Sequence, residues 1–332
     1  MKQIYLAWTK FQRRPESMQD YFGYELIYVP PTGSSIYTKP FSYISQWIKT
    51  LEHIKRSDPD VVWIQTPPTF LPHILLSYRF YSRRKFRIVF DCHNSTFYEP
   101  WVRIPGLSWA LRRGDAVLVH NSEIARTTRH IGLGDERLVL LETRPAQVNL
   151  LESANHSSRE VLVPCSFKSD EPVEAIIDAA KLSPDITYIL TGNYRRYSQA
   201  WRFEEGLPPN LKLTSYISTA EFNRLLSTCS VVLGLTTREG VQLSVANEAV
   251  GAGKPMVLSD TKILRDLFGE AALFCNNTGV SIAQALQEAL SARSLLANRS
   301  VQLRSVREVR WTAQANALKL SLDVLDRKSK EC

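Results

Sequence analysis

The chain has no apolar run approaching the roughly 18–20 residues that a bilayer span requires. Its opening stretch, MKQIYLAWTKFQRR, holds too short an apolar core for a secretory signal and reads as a first strand. Cysteine is sparse and unpaired. Cys92, Cys165, Cys229, Cys275 and Cys332 are odd in number and scattered, with no CxxC pair. That pattern argues against a zinc site and suits a reducing cytoplasm. No short repeat is visible, which sets aside solenoid architectures. One acidic pair, Asp58-Pro59-Asp60, has the look of a metal motif, but it precedes a buried strand. Ligands of open α/β sheets sit at the opposite, C-terminal end of strands. We read the pair as a turn and expect no catalytic metal and no cofactor.

What is present is an ordinary globular composition, 44% hydrophobic and 22% charged, in 332 residues. That length is enough for two domains. The net charge of +8 is unevenly placed. Residues 1–150 hold 20 Lys/Arg against 13 Asp/Glu, whereas residues 151–332 hold 21 against 20. A basic half beside a neutral half implies that the first half meets something anionic.

Strand-like and helix-like segments alternate throughout. In the first half, strands are expected at 3–7, 25–29, 61–65, 87–92, 116–120 and 137–141, with helices at 43–55, 71–81 and 123–130 between them. Residues 143–159 are polar and unpatterned and read as a linker. The alternation restarts with strands at 161–164, 186–190, 211–214, 231–235, 256–258 and 272–275. A capping box, Ser218-Thr219-Ala220-Glu221, opens the helix before Val231. Two such series imply two doubly wound parallel sheets. A last amphipathic helix is expected from Trp311 through Ala315, Leu318 and Leu322 to Leu325.

The most informative segment is 230–260, SVVLGLTTREGVQLSVANEAVGAGKPMVLSD. An apolar strand, Val231 to Leu235, leads through Thr236-Thr237-Arg238-Glu239-Gly240 into a helix from about Leu243 to Val250, then to Gly253-Lys254-Pro255 and a second strand. A strand-to-helix turn aims free backbone N–H groups and the positive helix end outward, which suits a diphosphate. Carboxylates beside it accept hydrogen bonds from hydroxyls, and a nucleotide sugar offers both groups.

This segment resembles the donor site of retaining family 4 glycosyltransferases (glycosyl transferases group 1) of the GT-B fold. Glu239-Gly240, Glu248-Ala249 and Gly253-Lys254-Pro255 match the family pattern, although eight residues separate the two carboxylates where the family usually has seven. The resemblance implies an α/β chain of two Rossmann-like domains facing a central cleft. Residues 1–150 would form an acceptor domain and 151–310 a nucleotide-sugar domain, with a C-terminal helix, 311–332, returning to the first. It implies that Glu248 holds the donor ribose. Glu239 would reach the sugar, with Gln242 as the alternative if the longer loop shifts the register. Arg238, Gly240, Leu243 and Ser244 complete that loop.

Other expected site residues are more dispersed. His93, in Asp91-Cys92-His93-Asn94, follows a buried strand, where the family often has a catalytic-cleft histidine. Gly192, Asn193, Arg195 and Arg196 follow the strand at 186–190 and resemble the loop near the donor base and diphosphate. The family's usual Arg and Lys on the donor phosphates have no clean counterpart in Cys165–Pro172, where Lys168 is the one candidate. The first loop lacks the family's paired glycines but carries Lys10, Arg13 and Arg14, which with Trp101 and Arg103 would suit an anionic acceptor.

The expected reaction is transfer of a sugar from a nucleotide-diphosphate sugar to an acceptor hydroxyl with retention, without metal, in bacterial polysaccharide or glycolipid assembly. Its partners would be the nucleotide sugar, a glycan or lipid-linked acceptor, and weakly an anionic membrane, reached through Arg79, Arg83, Arg84, Lys85 and Arg103. The location would be cytoplasmic, peripheral on the inner face of the membrane. A same-fold nucleotide-sugar epimerase and a non-catalytic binding module are the alternatives. Nucleic acid fits the charge but not the Glu239/Glu248 segment.

Overall fold

The computed structural model describes residues 1–33, 35, 37–130, 132–133, 137–146, 158–197, 199, 203 and 206–330, apart from the side chains at 130, 196 and 324–330. Most of the expected linker, residues 147–157, lies outside the described residues. The chain divides into two compact units. The first is Met1–Arg144 with Val309–Cys332, and the second is Pro145–Glu308.

The first unit runs β1 (Gln3–Ala7), α1 (Arg13–Phe22), β2 (Glu25–Tyr28), α2 (Lys39–Ser57), β3 (Val61–Thr66), α3 (Leu71–Ser82), β4 (Arg87–Cys92), α4 (Leu107–Leu111), β5 (Ala116–Val119), α5 (Ser122–His130) and β6 (Leu138–Leu140). All six strands are parallel in the order β2-β1-β3-β4-β5-β6. The central strands are mostly apolar because helices cover both faces. One face buries Ile54 of α2 and Leu71, Leu75 and Leu76 of α3 against Ile4, Ile64 and Ile88. The other buries Met18 and Phe22 of α1 and Trp311, Ala315, Leu318 and Leu322 against Tyr5, Trp63 and Val89.

Trp311 is fully buried in that second layer, edge-on to Tyr21 at 5.0 Å. The Arg144 guanidinium stacks on it at 4.7 Å. It does not begin a helix. α11 runs unbroken from Arg293 to Lys330, so residues 311–325 continue a helix already under way. Asp58 caps the end of α2 in a left-handed conformation, and the Asp60 carboxylate accepts a 2.6 Å hydrogen bond from the Lys2 amide. The Asp-Pro-Asp element is a turn at the N-terminal end of β3.

The second unit runs β7 (Glu160–Pro164), α6 (Val173–Leu182), β8 (Thr187–Thr191), β9 (Leu211–Ser215), α7 (Thr219–Thr228), β10 (Val231–Gly234), α8 (Ser244–Gly251), β11 (Met256–Ser259), α9 (Lys262–Phe268), β12 (Ala272–Cys275), α10 (Gly279–Ser291) and the first part of α11. Its parallel strands lie in the order β12-β11-β10-β7-β8-β9. α6 and α10 cover one face, and α7, α8 and α9 the other. Ser218 caps α7 through the Glu221 amide, as the capping box predicts. Both sheets are thus doubly wound. In each, the strand order reverses once, between β1 and β3 and between β7 and β10. Loops leaving the C-terminal ends of strands diverge at such a point and leave a crevice.

Candidate functional site

Beside the reversal in the first sheet, ionisable groups from β1, α1, β4 and the segment after β5 are packed together. Asp91, near the end of β4, is fully buried. Its carboxylate accepts hydrogen bonds from the Tyr5 hydroxyl at 2.7 Å, from Arg14 Nε at 3.0 and 3.2 Å, and from His120 Nε2 at 2.9 Å. Arg14 spends its remaining donors on the carbonyls of Glu142 at 2.8 Å and Leu141 at 2.9 Å. Burial alone would raise the Asp91 pKa, but Arg14 and His120 override it and hold the carboxyl well below its ordinary range. Burial, reinforced by Arg14, lowers His120, so it donates to Asp91 as a neutral imidazole.

His93 follows Asp91 by two residues and sits edge-on to His120, ring centres 4.8 Å apart. Its Nε2 faces the side-chain amides of Gln65 at 2.7 Å and Gln12 at 3.3 Å. Burial, then the neighbouring His120, push its pKa down to about 3. Such a histidine is neutral at physiological pH and a weak base. It can hold a hydroxyl by hydrogen bonding but is a poor proton shuttle. The amide nitrogens on Nε2 leave the proton on Nδ1. Reversing the Gln65 amide would switch the tautomer without changing the charge. Gln65 Oε1 is buried with no partner among the described residues, an acceptor left open beside the imidazole.

The other first-unit candidates are separate from this cluster in role. Arg14 faces inward, so it positions Asp91 rather than meeting an acceptor, because a buried carboxylate attracts it more strongly than solvent does. Lys10 is exposed, and Arg13 lies over the Phe11 ring at 5.4 Å. Trp101 is half-buried, its carbonyl accepting from the Thr69 hydroxyl at 2.8 Å. Arg103 is exposed and ion-paired with Glu99. Two more of the cations expected at a membrane are also engaged, Arg79 with Asp115 at 2.9 Å and Arg84 with Asp58 at 2.6 Å. Arg83 and Lys85 are exposed.

At the reversal in the second sheet the site is made mainly of backbone. The loop after β10 lies against the loop after β7. The Thr237 amide donates to the Asp170 carbonyl at 2.7 Å, and the Thr236 hydroxyl reaches the Asp170 carboxylate at 3.2 Å. Ser259 and Asn277 brace Thr236 from behind through its amide and carbonyl. Gly192, with φ of 119°, brings the loop after β8 into the same group. A Cβ there would lie 1.8 Å from the Cys165 carbonyl oxygen, so only glycine allows the approach. Asn193 is half-buried and Arg195 exposed, while the Arg196 side chain lies outside the described residues.

Within the loop after β7, Phe167 adopts a left-handed conformation that turns successive amides inward. The Glu171 carboxylate occupies the resulting nest, accepting from the Ser166 amide at 2.9 Å, the Lys168 amide at 3.0 Å and the Ser166 hydroxyl at 3.0 Å. The Lys168 side chain is exposed.

α8 opens after Leu243 with no side-chain cap; the Ala246 amide bonds the Leu243 carbonyl at 3.2 Å, and the amides before it face the helix entrance. Ser244 is exposed at that end, Gly240 is half-buried, and Leu243 packs on the core. Glu248 lies one turn further on and is half-buried. Glu239 and Arg238 are exposed. Glu239 accepts from the Lys262 amide at 3.2 Å and so caps the start of α9. The open groups are Gln242 Nε2 and Asn247 Oδ1, both buried without a partner among the described residues. Lys254 is structural. Its ammonium bonds the carbonyls of Ser227 at 2.5 Å and Cys229 at 2.9 Å, tying α8 to the turn before β10.

Sequence reasoning missed Tyr5, Gln65, Asp91 and His120 as partners, and Glu171 as the occupant of the amide nest. Asp91 was within the quoted motif. Its apolar neighbours could have marked it as a buried charge in need of a cation.

These geometries agree with comparisons to known proteins. Residues 6–143 match the model of Glycosyltransferase Family 4, and residues 153–305 match that of Glycosyl transferases group 1. No curated protein matches the chain in sequence. Among solved structures, Anabaena HepE with UDP and glucose superposes with a TM-score of 0.70 at 14% identity, over 97% of this chain and 99% of that one. Sucrose-phosphate synthase from Thermosynechococcus elongatus gives 0.73 at 12% identity, over 99% and 100%. A glycosyltransferase from Rickettsia africae gives 0.63 at 12% identity, over 98% of each chain. At these identities the structural likeness speaks for the fold, and the two family matches, which together take in most of the sequence, say what kind of protein it is: the chain belongs to the GT-B glycosyltransferases.

Proposed function

We propose that this glycosyltransferase takes a sugar from a nucleotide-diphosphate sugar and transfers it to an acceptor hydroxyl with retention of configuration. The observation that carries the reading is the segment leaving β10 where the second sheet reverses, in which Gln242, whose buried Nε2 has no partner among the described residues, the start of α8 without a side-chain cap, and half-buried Glu248 follow one another. Free amides suit the diphosphate and Glu248 the ribose hydroxyls. HepE has been solved with UDP and with UDP-glucose, which makes a uridine donor the first to try.

Among the described residues no protein nucleophile is evident, and in this reading the leaving diphosphate would serve as base. The C1–O bond to phosphate breaks, the acceptor oxygen bonds C1 from the same face, and the acceptor proton passes to the departing phosphate oxygen. Catalysis is then positioning plus stabilisation of the diphosphate by fixed amides. We expect the reaction to need no metal; among the described residues no three His, Cys, Asp or Glu side chains gather. Activity should survive EDTA.

His93 would hold a sugar hydroxyl, and Lys10 and Arg13 would meet an anionic acceptor. The basic first half fits an acceptor presented at an anionic membrane, as in bacterial polysaccharide or glycolipid assembly, with the enzyme peripheral on the cytoplasmic face. No helix among the described residues is long and apolar enough to cross a membrane.

The test is a panel of UDP-, GDP- and ADP-sugars by thermal shift, followed by nucleotide release with and without glycan or lipid-linked acceptors. Release that rises with acceptor, and a product whose anomeric configuration by NMR matches the donor, supports the reading. An altered sugar nucleotide formed without any acceptor would instead establish an epimerase.

A further inference from the structure

α2 is amphipathic in reverse. A surface helix ordinarily turns its apolar stripe to the core. The buried positions of α2, spaced at helical intervals, are Ser42, Gln46, Thr50 and Ile54. Three are polar, and each is satisfied from inside the unit. Ser42 Oγ accepts from the Thr32 amide at 3.0 Å, Gln46 Nε2 donates to the Val29 carbonyl at 2.6 Å, and Thr50 Oγ1 accepts from Trp8 Nε1 at 2.8 Å. The outward positions are Phe41 (74% exposed), Ile44 (51%), Trp47 (43%) and Ile48 (51%), with Tyr37 (84%) just before the helix. Hydrogen bonds hold the helix in place, so the outward apolar face is not a core waiting to rearrange. A contiguous patch of this kind marks an interaction site.

Charge selects the occupant. The exposed positions of α2 also carry Lys39, Lys49, Lys55 and Arg56 against a single acid, Glu52. The half of the chain that contains α2 has an excess of seven positive charges. A second copy would bring like charge against like, whereas an anionic surface is attracted. Large apolar and aromatic side chains flanked by lysines are the chemistry of a helix lying in a bilayer interface. At about 1.5 Å per residue, this 19-residue helix offers roughly 28 Å of contact.

We infer that α2 is the membrane-docking element of this protein, seated flat on an anionic lipid surface through Phe41, Ile44, Trp47 and Ile48. The inference rests on the proposal that the acceptor is presented at a membrane, and replaces the partly engaged cations of 79–103 as the main contact. α2 and α3 cover the same face of the first sheet, so exposed Arg83 and Lys85 beyond α3 are secondary.

The experiment is co-sedimentation of the full chain with phosphatidylglycerol-rich and with pure phosphatidylcholine vesicles. The wild type should bind the former and be released in part by salt. Ile44→Glu with Ile48→Glu should lower binding by at least about tenfold, because two apolar contacts are lost and two repulsions gained. Arg83→Glu with Lys85→Glu should lower it several-fold less. Brominated lipid should quench part of the tryptophan emission, and Trp47→Phe should remove that part. Both isoleucines are exposed, so the melting temperature and donor hydrolysis should be unchanged. Equal vesicle binding by the Ile44/Ile48 variant would overturn the inference. So would a wild type that ignores lipid and sediments as a dimer that the same variant dissociates. Vesicle binding without turnover of any sugar nucleotide would leave the docking surface standing and remove only the transferase proposal.

Discussion

The two units share one topology and fill its critical point with opposite materials. Where the first sheet reverses, the space is occupied by side chains: a buried carboxylate, a guanidinium, a phenol and two neutral imidazoles, each completing another. Where the second sheet reverses, backbone amides and carbonyls make the frame, and the charged side chains Arg238, Glu239 and Lys168 are exposed. A charge removed from water must be paired, so the first site is rigid and intolerant. A frame of amides keeps its shape when a side chain changes, so the second should lose ligand before it loses fold.

The sharpest test of that contrast is Arg14→Met, which strands Asp91 with only Tyr5 and His120. Removing one partner of a buried pair costs about 3–5 kcal/mol. Denaturant unfolding should show a loss of that size, and a loss under about 1 kcal/mol would mean that Asp91 is not held by charge. Next, Glu248→Ala should weaken donor binding by about 1–3 kcal/mol, roughly five- to 150-fold, with the melting temperature nearly intact. Calorimetric titration with the donor measures this, and unchanged affinity would remove Glu248 from the site.

A finer comparison lies inside the second loop. Gln242 has a free buried donor and Glu239 caps α9, so Gln242→Ala should raise the donor dissociation constant more than Glu239→Ala. The reverse order would show that Glu239 leaves its cap to bind sugar. The smallest effect concerns pH. His93 titrates near 3 in the folded protein, below the unfolded value of about 6.5. Between those values the unfolded chain binds a proton that the folded chain refuses. Stability contributed by neutral His93 is therefore complete above pH about 6.5 and falls as the pH drops toward 3. Asp91 acts lower, losing its contribution below its ordinary value of about 3.9. A His93→Gln variant should show a flatter stability profile between pH 6.5 and 4, measured by urea midpoints, and a profile parallel to wild type would contradict the assignment.

The strands of both sheets were legible because parallel strands buried on both faces are built on apolar runs, as at residues 61–64 and in Val231–Gly234. The β10–α8 segment was legible because its turn, helix and Gly-Lys-Pro are contiguous in the chain. The Asp91 cluster was not. Its members come from positions 5, 14, 91 and 120, joined only when four segments of the chain converge. The inward turn of Arg14 onto Asp91 was not legible either, because a cation's position in a loop does not say which way it points.

Local pattern and contiguous motif were thus enough to determine two α/β units, their order of elements and the segment that resembles a donor site. Those features depend on periodicity and on residues near one another in sequence, which a linear reading contains. Tertiary structure alone decided that Arg14 turns inward to Asp91, that Glu171 fills the amide nest, that Glu239 caps α9, and that α2 shows its apolar side to solvent. Each of these is a choice between partners distant in the chain, or between two sides of one element. Burial and hydrogen-bond satisfaction make that choice only when the whole unit is assembled.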